Sequence, residues 1–437
     1  MSDILNKYFE FDLHKTNLKT EILAGVSTFL SLSYIFVVNP AILSEGGINK
    51  SAVLFATVIA SAAATIAMGL WAKKPFALAP GLEINGYVVY FLIIGLGFTW
   101  QQSLGAVFWS GIIFLVLTLT GIREKIITAI PTSLKIALAA SVGIFLIIIA
   151  LRLSNILIYD KTKLINIGSI FTYQTLILLV GYILAWFLKK KGSKYFILTS
   201  IILCTFLAHI FGLQPGTNKG VSLNSEMFIA VGKLDLSVIF NAKMIAPIII
   251  LFVLDFYGSI AKFIGLSQNT SILDENGDFP KMKEALVVDG VATTIGASLG
   301  TTSIVAFVES GVGIGAGGRT GLTAVVCGIL MLLFIPLSPI VNLVPVIATT
   351  GALLWVGIKL MPQKVDFAKM QIIEKISVLI MIVVTIATFS LDKAMLAGFL
   401  FLIFGFLFKG RIKEISPYLI ISTLIIFISV VLSLVYE

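Results

Sequence analysis

Three carboxylates within apolar stretches are the residues of this sequence that could do chemistry. Asp255 and Glu309 lie inside apolar segments of membrane-spanning length, and Glu83 begins the helical part of another. A carboxylate at membrane depth is costly and usually faces a protein interior or a watery cavity. We interpret these acids as parts of a polar cavity, where they accept hydrogen bonds from a substrate and exchange a proton or a cation. For Asp255 and Glu309, bonding to backbone donors at a broken helix end is the alternative.

The sequence around Glu309 favours a binding site. Residues 296–320 are rich in glycine and small side chains, which let backbone groups approach a ligand closely. The third predicted span opens with the non-helical stretch 75–81, and the tenth opens with the β-like stretch 300–307. Paired interruptions in corresponding spans of two halves are the best sequence indication of a transporter site. We therefore expect a substrate site between the two broken spans.

Other polar residues near the spans have competing interpretations. Asn85 offers a donor and an acceptor to the edge of a heterocycle, or a hydrogen bond for helix packing. Lys262 follows Asp255 by seven residues, so both lie on nearly the same helix face about 10 Å apart, although the long lysine stem could reach the interface instead. Arg319, at the junction of the tenth and eleventh spans, is expected to be structural or gating. Glu21 precedes the first span and is expected to cap a helix end.

The elements that must position these residues are membrane helices. Of the 437 residues, 58% are hydrophobic and 12% are charged, about half the charged fraction of a soluble domain. The sequence therefore predicts an all-α polytopic membrane protein with about thirteen to fifteen spans. The candidate spans are 22–43, 51–71, 77–97, 102–121, 131–151, 170–188, 195–212, 243–266, 283–300, 301–318, 319–337, 343–361, 373–390, 394–409 and 415–435. The segment 343–361 could instead be re-entrant or interfacial.

The net charge of +9 is better explained by membrane topology than by nucleic-acid binding. With the N-terminus inside, the early cytoplasmic segments hold eleven basic residues, and the opposite loops of the same half hold four. The positive-inside rule therefore predicts a multi-pass protein of the cell membrane with a cytoplasmic N-terminus. The two cysteines and two histidines form no Cys/His cluster, so we expect no metal site, no disulfide and no cofactor.

Several motifs resemble one known family. They are Thr28-Phe-Leu-Ser-Leu-Ser-Tyr-Ile35 with Val38-Asn-Pro40, Pro75-Phe-Ala-Leu-Ala-Pro-Gly81 with Asn85, Gly296-Ala-Ser-Leu-Gly-Thr301, Val308-Glu-Ser310, and Gly317-Gly-Arg-Thr-Gly-Leu322. Together they resemble the AzgA-like branch of the nucleobase–cation symporters, which are adenine, guanine and hypoxanthine permeases. The match runs in the right order from about Lys15 to Met361.

The resemblance implies the UraA-type fold, with fourteen spans in two inverted repeats of seven and short β-like breaks in the third and tenth spans. A core domain then comprises residues 22–121 and 243–337, and a gate domain comprises residues 122–212 and 338–437. Residues 1–21 form a cytoplasmic segment, and residues 213–242 form an extracellular-side connection. The fold relatives also make a homodimer a candidate assembly.

The resemblance assigns site residues as well. By motif, Asn85, Asp255 and Glu309 become ligands of a purine base, with a carboxylate coupled to proton movement. The full expected substrate site is Asn85, Asp255, Glu309, Glu83, Thr301, Thr302 and Phe307. The candidates for coupling or gating are Asp255, Glu309, Lys262 and Arg319.

This chain departs from the family pattern at the expected site. The family usually reads Gly-Met-Gly-Leu-Asn in the third span, and here Gly81-Leu-Glu-Ile-Asn85 puts Glu83 in place of a glycine. In the eighth span, Gly258 stands where the family commonly has a second aspartate, and Lys262 ends the segment that usually reads Thr-x-Gly-Thr. We hypothesise that Glu83 takes over the lost charge or pairs with Lys262. The substrate could then differ from the usual purines.

The sequence thus predicts a secondary transporter that imports purine nucleobases by proton symport, with Na⁺ as the alternative ion, through an elevator-like movement. An anion transporter of the same fold is the main alternative, although Asp255 and Glu309 would repel an anion unless protonated. A uracil or xanthine permease is less favoured, because the tenth-span signature of that branch is absent. An enzyme is disfavoured, because the sequence shows no metal cluster, no nucleophile–base set and no nucleotide loop. The pattern Gly313-x-Gly315-x-x-Gly318 lacks the βαβ context of a dinucleotide site and is a chance match.

Overall fold

The structure is a computed structural model that describes residues 2–120, 132–160, 163–193, 196–213, 224–267, 271–273, 279–337, 343–359, 361, 370–388 and 391–436. The predicted domain boundaries at 122 and 338, and the part of the predicted connection from 214 to 223, lie outside the described residues.

Helices account for most of the described chain. In the first half they are α1 (Ser2–Phe9), α2 (Leu18–Leu32), α3 (Ile35–Glu45), α4 (Lys50–Ala67), α5 (Leu82–Gly86), α6 (Trp100–Leu119), α7 (Thr132–Leu153), α8 (Tyr173–Lys190) and α9 (Phe196–Ile210). In the second half they are α10 (Ala242–Ser267), α11 (Met282–Leu299), α12 (Ser310–Gly315), α13 (Gly321–Leu332), α14 (Phe334–Leu337), α15 (Thr350–Lys359), α16 (Ile372–Thr388), α17 (Leu391–Phe408) and α18 (Pro417–Tyr436).

Shorter helical pieces complete these elements. Two π-helical stretches, Met68–Ala72 and Tyr87–Gly95, continue α4 and α5. In the described part of the chain, 3₁₀ turns lie at Ser225–Phe228, Leu236–Phe240, Val346–Thr349 and Ile412–Glu414. By length and composition, four described helical segments are able to cross a membrane, and they are Leu18–Glu45, Lys50–Ala72, Trp100–Leu119 and Ala242–Ile260. Shorter apolar helices of 10–17 residues accompany them.

Polar caps fix where several of the apolar helices begin. The Asn49 side chain accepts hydrogen bonds from the backbone N–H groups of Ser51 and Ala52, which opens α4. Thr99 and Gln102 form a reciprocal capping box at the start of α6. Such caps satisfy N–H groups that have no partner within the helix. The polar residues between the spans therefore set the helix ends, and the apolar runs fill the helix bodies.

Among the residues that the structure describes, two short antiparallel sheets interrupt the helices. Strands β1 (Leu78–Pro80) and β4 (Ile304–Ala306) pair with Ala79 opposite Val305, and they lie in the third and tenth predicted spans. Strands β2 (Leu157–Asp160) and β3 (Lys163–Ile167) form a hairpin after α7, which the sequence analysis does not predict. The β1–β4 pair joins segments from the two halves of the chain, and each of its strands is followed by a short helix.

Most of the described helices pack in two groups, and α18 packs against a helix of each, α10 and α17. Helix α13 packs against α2 and α4, and α6 packs against α10 and α11. In the other group, α7 packs against α15 and α16, α8 packs against α9 and α15, and α16 packs against α17. The first group surrounds the β1–β4 pair, and its helices come from both halves of the sequence.

Candidate functional site

The β1–β4 pair positions the acids that the sequence singles out. Each strand is followed by a short helix, α5 after β1 and α12 after β4. Glu83 lies in the first turn of α5, and Glu309 immediately precedes Ser310, the first residue of α12. The Phe307 N–H donates to the Ala77 carbonyl at 2.9 Å, which extends the strand pairing to the residues beside Glu309. The two broken segments therefore hold their carboxylates on one shared framework.

Of the predicted site residues, Glu309 lines a cavity in the described part of the chain. The cavity has a volume of about 360 Å³, and its lining residues are Ser31, Lys189, Gly192, Ser193, Phe196, Ile197, Val308, Glu309, Gly311, Val312, Gly315 and Trp355. The Tyr34 hydroxyl donates a hydrogen bond of 2.8 Å to Glu309 Oε1. The Phe307 ring centre lies 6.3 Å from that of Tyr34, so aromatic surface flanks the carboxylate. The site thus offers an acid, a hydroxyl and apolar walls.

A second charged group lies close to Glu309. Lys262 Nζ lies 2.9 Å from Glu83 Oε1, and both side chains are largely buried, with 16% and 14% of their surface exposed. Glu309 interacts electrostatically with both members of this ion pair. The eighth-span lysine and the third-span acid, which are the two unusual charges of the sequence, therefore meet in the structure. A Cβ added at Gly258 would have Glu83 Oε1 as its single neighbour within 4 Å, so space is open beside the pair.

A buried chain of amides and hydroxyls links the two halves. Asn85 Nδ2 donates to Asn39 Oδ1 at 2.6 Å, and the Thr302 hydroxyl donates to Asn85 Oδ1. Asn39 Nδ2 in turn donates to the hydroxyl of Thr57 at 2.6 Å and to that of Thr301 at 3.0 Å. All five side chains are fully buried. In this conformation the network holds α3, α4 and α5 against the segment before β4.

Asp255 lies in a different part of the interior. Only 1% of its surface is exposed, and its Oδ2 accepts a hydrogen bond of 2.9 Å from the Thr293 hydroxyl on α11. The same hydroxyl lies 3.4 Å from the Ile304 carbonyl, so Asp255 is tied to the segment that forms β4. The structure therefore brings Asp255 to the strand pair and Glu309 to the cavity wall.

Arg319 and Glu21 meet where α12 ends and α13 begins. The Arg319 guanidinium donates to the carbonyls of Ile314 and Gly318, at the end of α12. The Glu21 carboxylate accepts from the Arg319 N–H at 2.9 Å, from the Thr320 N–H at 3.3 Å and from the Thr323 hydroxyl at 2.6 Å. Glu21 thus lies at the N-terminus of α13, where a negative charge is favourable. Arg319 therefore connects the end of α12 to Glu21 on α2, and it is not among the residues that line the cavity.

The sequence analysis gives no role to several residues of this site. Tyr34 and Asn39 lie inside the first family motif, and their polar groups in an apolar span are a signal that it leaves unused. Lys189 and Trp355 reach the cavity from α8 and α15, far from Glu309 in sequence. The sequence around Lys189 or Trp355 does not mark either as a site residue, because only the packing of the two helix groups brings them to the cavity.

Solved structures with similar folds are transporters. The transmembrane domain of the cyanobacterial bicarbonate transporter BicA superposes with a TM-score of 0.64 at 15% identity, covering 87% of this chain and 97% of that domain. The murine anion transporter Slc26a9 superposes with a TM-score of 0.67 at 12% identity, covering 90% of this chain and 69% of that protein. At these identities the similarity establishes the fold, which is that of a helical membrane transporter.

Proteins of similar sequence identify the family of this chain. The adenine permease AdeP of Escherichia coli is 33% identical over 428 residues, covering 98% of this chain and 96% of AdeP. The guanine/hypoxanthine permease PbuG of Bacillus subtilis is 32% identical over 426 residues, covering 94% of this chain and 96% of PbuG. The resemblance to this branch of permeases is thereby confirmed. A model described as the Permease family matches residues 19–390, and the chain therefore belongs to that family.

Proposed function

We propose that this protein imports purine nucleobases such as adenine, guanine or hypoxanthine across the cell membrane by proton symport. The observation that carries the proposal is Glu309, a carboxylate in the wall of a cavity of about 360 Å³ between two helix groups. That volume falls in the range of small-molecule sites, which is about 300–1,000 Å³. The names of the relatives AdeP and PbuG give the substrate class.

The chemistry of Glu309 suits a purine. An ionised carboxylate accepts hydrogen bonds, and purine bases carry N–H donors on their ring edges. The carboxylate also takes up a proton, and the Tyr34 hydroxyl beside it is placed to stabilise the ionised form. In this mechanism Glu309 binds the base and the proton together. The buried network of Asn39 and Asn85 holds the framework from which Glu309 projects.

The proposed movement is that of a core domain against a gate domain. The cavity lies between residues of the expected core, such as Ser31 and Glu309, and residues of the expected gate, such as Lys189 and Trp355. We propose fourteen spans in two inverted repeats of seven, with the domain ranges that the family resemblance implies. The packing of α7, α8, α9, α15, α16 and α17 with one another supports this division, and α18 of the expected gate also packs against α10 of the expected core. A cytoplasmic N-terminus and a homodimer remain parts of the proposal.

Ligand binding to the purified protein tests this function. Thermal unfolding in detergent would be followed with adenine, hypoxanthine, guanine, uracil and sulfate, for the wild type and for Glu309→Gln. We expect a purine to raise the unfolding temperature of the wild type, and we expect Glu309→Gln to lose that shift. The matched control is Glu284→Gln on α11, because Glu284 is not among the residues that line the cavity. This control should keep the shift.

Two results would contradict the proposal. A purine shift of equal size in Glu309→Gln would remove Glu309 from the site. Stabilisation of the wild type by sulfate, without a response to any purine, would favour an anion transporter on this fold. At present the charges oppose that alternative, because Glu309 and Asp255 are acidic and the basic Lys262 is paired with Glu83.

A further inference from the structure

The Lys262–Glu83 ion pair adds a charge arrangement that proton symport alone does not require. Its two charged atoms lie 2.9 Å apart, between α10 and the start of α5. A buried ion pair is held together only where geometry and surroundings compensate for the water that both charges lose. Removing one member leaves an uncompensated charge, which costs much more than replacing both. Lys262 and Glu83 therefore act as a unit.

Few other charged or polar groups among the described residues interact electrostatically with Glu83. Electrostatic interactions in this region join Glu83 to Lys262, to Glu309 and to the Tyr34 hydroxyl. The cavity wall adds Lys189, which reaches it from α8. Among the described residues, the ammonium hydrogen-bonded to Glu83 is that of Lys262. Each of the two acids therefore has its own partner: Lys262 for Glu83, and the Tyr34 hydroxyl for Glu309.

The two partners differ in kind. A lysine ammonium is a cation that is covalently tethered to the protein and never leaves with the substrate. An opposite charge within hydrogen-bond distance favours the ionised form of a carboxylate. The Tyr34 hydroxyl is neutral, so it leaves Glu309 free to gain and lose a proton. Among the described residues near the cavity, Glu83 is therefore ion-paired with an ammonium, whereas the side chain that hydrogen-bonds the Glu309 carboxylate is a neutral hydroxyl.

We propose that Lys262 is a tethered counter-cation that keeps Glu83 ionised throughout the transport cycle, which leaves Glu309 as the carboxylate that carries the coupled proton. This inference rests on the proposed function and deepens it, because it fixes the stoichiometry at one proton for each neutral base. The proton binds Glu309 on one side of the membrane and leaves Glu309 on the other. The Lys262–Glu83 pair crosses with no net charge.

Transport in proteoliposomes measures this stoichiometry. A tenfold adenine gradient would be set at equal pH on both sides, and the membrane voltage that stops net flux would be recorded. With one charge for each base, a tenfold gradient balances about 59 mV, and with two charges it balances about 30 mV. We expect about 59 mV for the wild type. We expect the same value for the double variant Glu83→Gln/Lys262→Met, in which a neutral pair replaces the ion pair.

Infrared spectroscopy of the substrate-free protein tests the ionisation of Glu83 directly. In the single variant Lys262→Met, Glu83 loses its counter-cation and should take up a proton at neutral pH. A new carbonyl stretch of a protonated carboxylic acid should then appear, and it should vanish in Glu83→Gln/Lys262→Met. The variant Lys262→Arg keeps the positive charge and should lack the new band.

The outcomes are distinct. A reversal voltage of about 30 mV for the wild type, or loss of proton coupling in the double variant, would overturn the inference. So would a Lys262→Met spectrum identical to that of the wild type. If the double variant does not fold, the wild-type voltage and the comparison of the Lys262→Met spectrum with the Lys262→Arg spectrum decide. Failure of the proposed function is separate, because it shows as absence of adenine flux at every voltage, whereas the infrared measurement needs no substrate.

Discussion

Asn39 shows at the residue scale how one side chain joins distant parts of the molecule. Its amide group contacts Asn85, Thr57 and Thr301 through three hydrogen bonds, and its own surface is fully buried. A buried polar group without a partner costs more free energy than a hydrogen bond contributes. The network is therefore stable as a complete set and is sensitive to the loss of its central member.

We predict that Asn39→Ala destabilises the protein strongly. The substitution removes the acceptor of Asn85 Nδ2 and leaves this buried donor without its bond, at a cost of about 1–3 kcal/mol. Thermal or chemical unfolding in detergent measures the change. Ser44→Ala on the same helix is the control, because the Ser44 hydroxyl bonds a carbonyl of its own helix, that of Ala41. Equal stability of both variants would show that the network contributes little.

At the scale of elements, glycine contacts set how closely α4 and α13 approach. A Cβ added at Gly321, the first residue of α13, would lie 1.9 Å from the carbonyl oxygen of Gly69 in the π-helical end of α4. Real atoms do not approach so closely, so the two backbones would have to separate. Glu309, which follows β4, belongs to the same packed group of helices. The close contact between Gly321 and Gly69 therefore helps to hold the site in place.

We predict that Gly321→Ala lowers stability by about 1–3 kcal/mol, the usual cost of overpacking. Gly315→Ala is the matched control, because nothing lies within 4 Å of a Cβ added there. Alanine also favours a helix over glycine by up to about 1 kcal/mol, so this control should be neutral or stabilising. Unfolding of both variants in detergent provides the comparison. A Gly321→Ala protein as stable as the wild type would contradict the observed packing.

The sequence predicts the elements of the site better than their contacts. Glu309 is conspicuous because an acid in an apolar span is rare, and proline and glycine mark the breaks at 75–81 and 300–307. The partners of Asn85 are harder to predict, because Asn39 and Thr302 lie 46 and 217 residues away along the chain. No local periodicity encodes such pairs. The hydroxyl of Tyr34 marks it as polar within an apolar span, but its partner Glu309 lies 275 residues away along the chain.

At the scale of the whole molecule, the two ends of helix α8 should face opposite sides of the membrane. Its eighteen residues span about 27 Å. Phe171 precedes the helix and is 98% exposed, whereas Ser193 follows it and lines the cavity with Glu309. Under the proposed orientation, the Ser193 end is cytoplasmic, so the cavity opens toward the cytoplasm in this conformation.

We predict that a membrane-impermeant maleimide added to intact cells labels Phe171→Cys and leaves Ser193→Cys unlabelled. Permeabilised cells should label both, and saturating adenine should slow the labelling of Ser193→Cys. The native Cys204 and Cys327 are both buried, so background labelling should be low. Labelling of Ser193→Cys from the outside of intact cells would reverse the orientation proposed here.

The β1–β4 pair also has a consequence for biosynthesis. Strand β1 emerges from the ribosome more than 220 residues before its partner β4, which takes about 10–45 s at the usual rates of synthesis. During that time the backbone groups of β1 lack the partners that they have in the finished protein, at a depth where lipid offers none. The first half of the chain must therefore wait in the membrane, shielded by its own helices or by the insertion machinery, until the second half arrives.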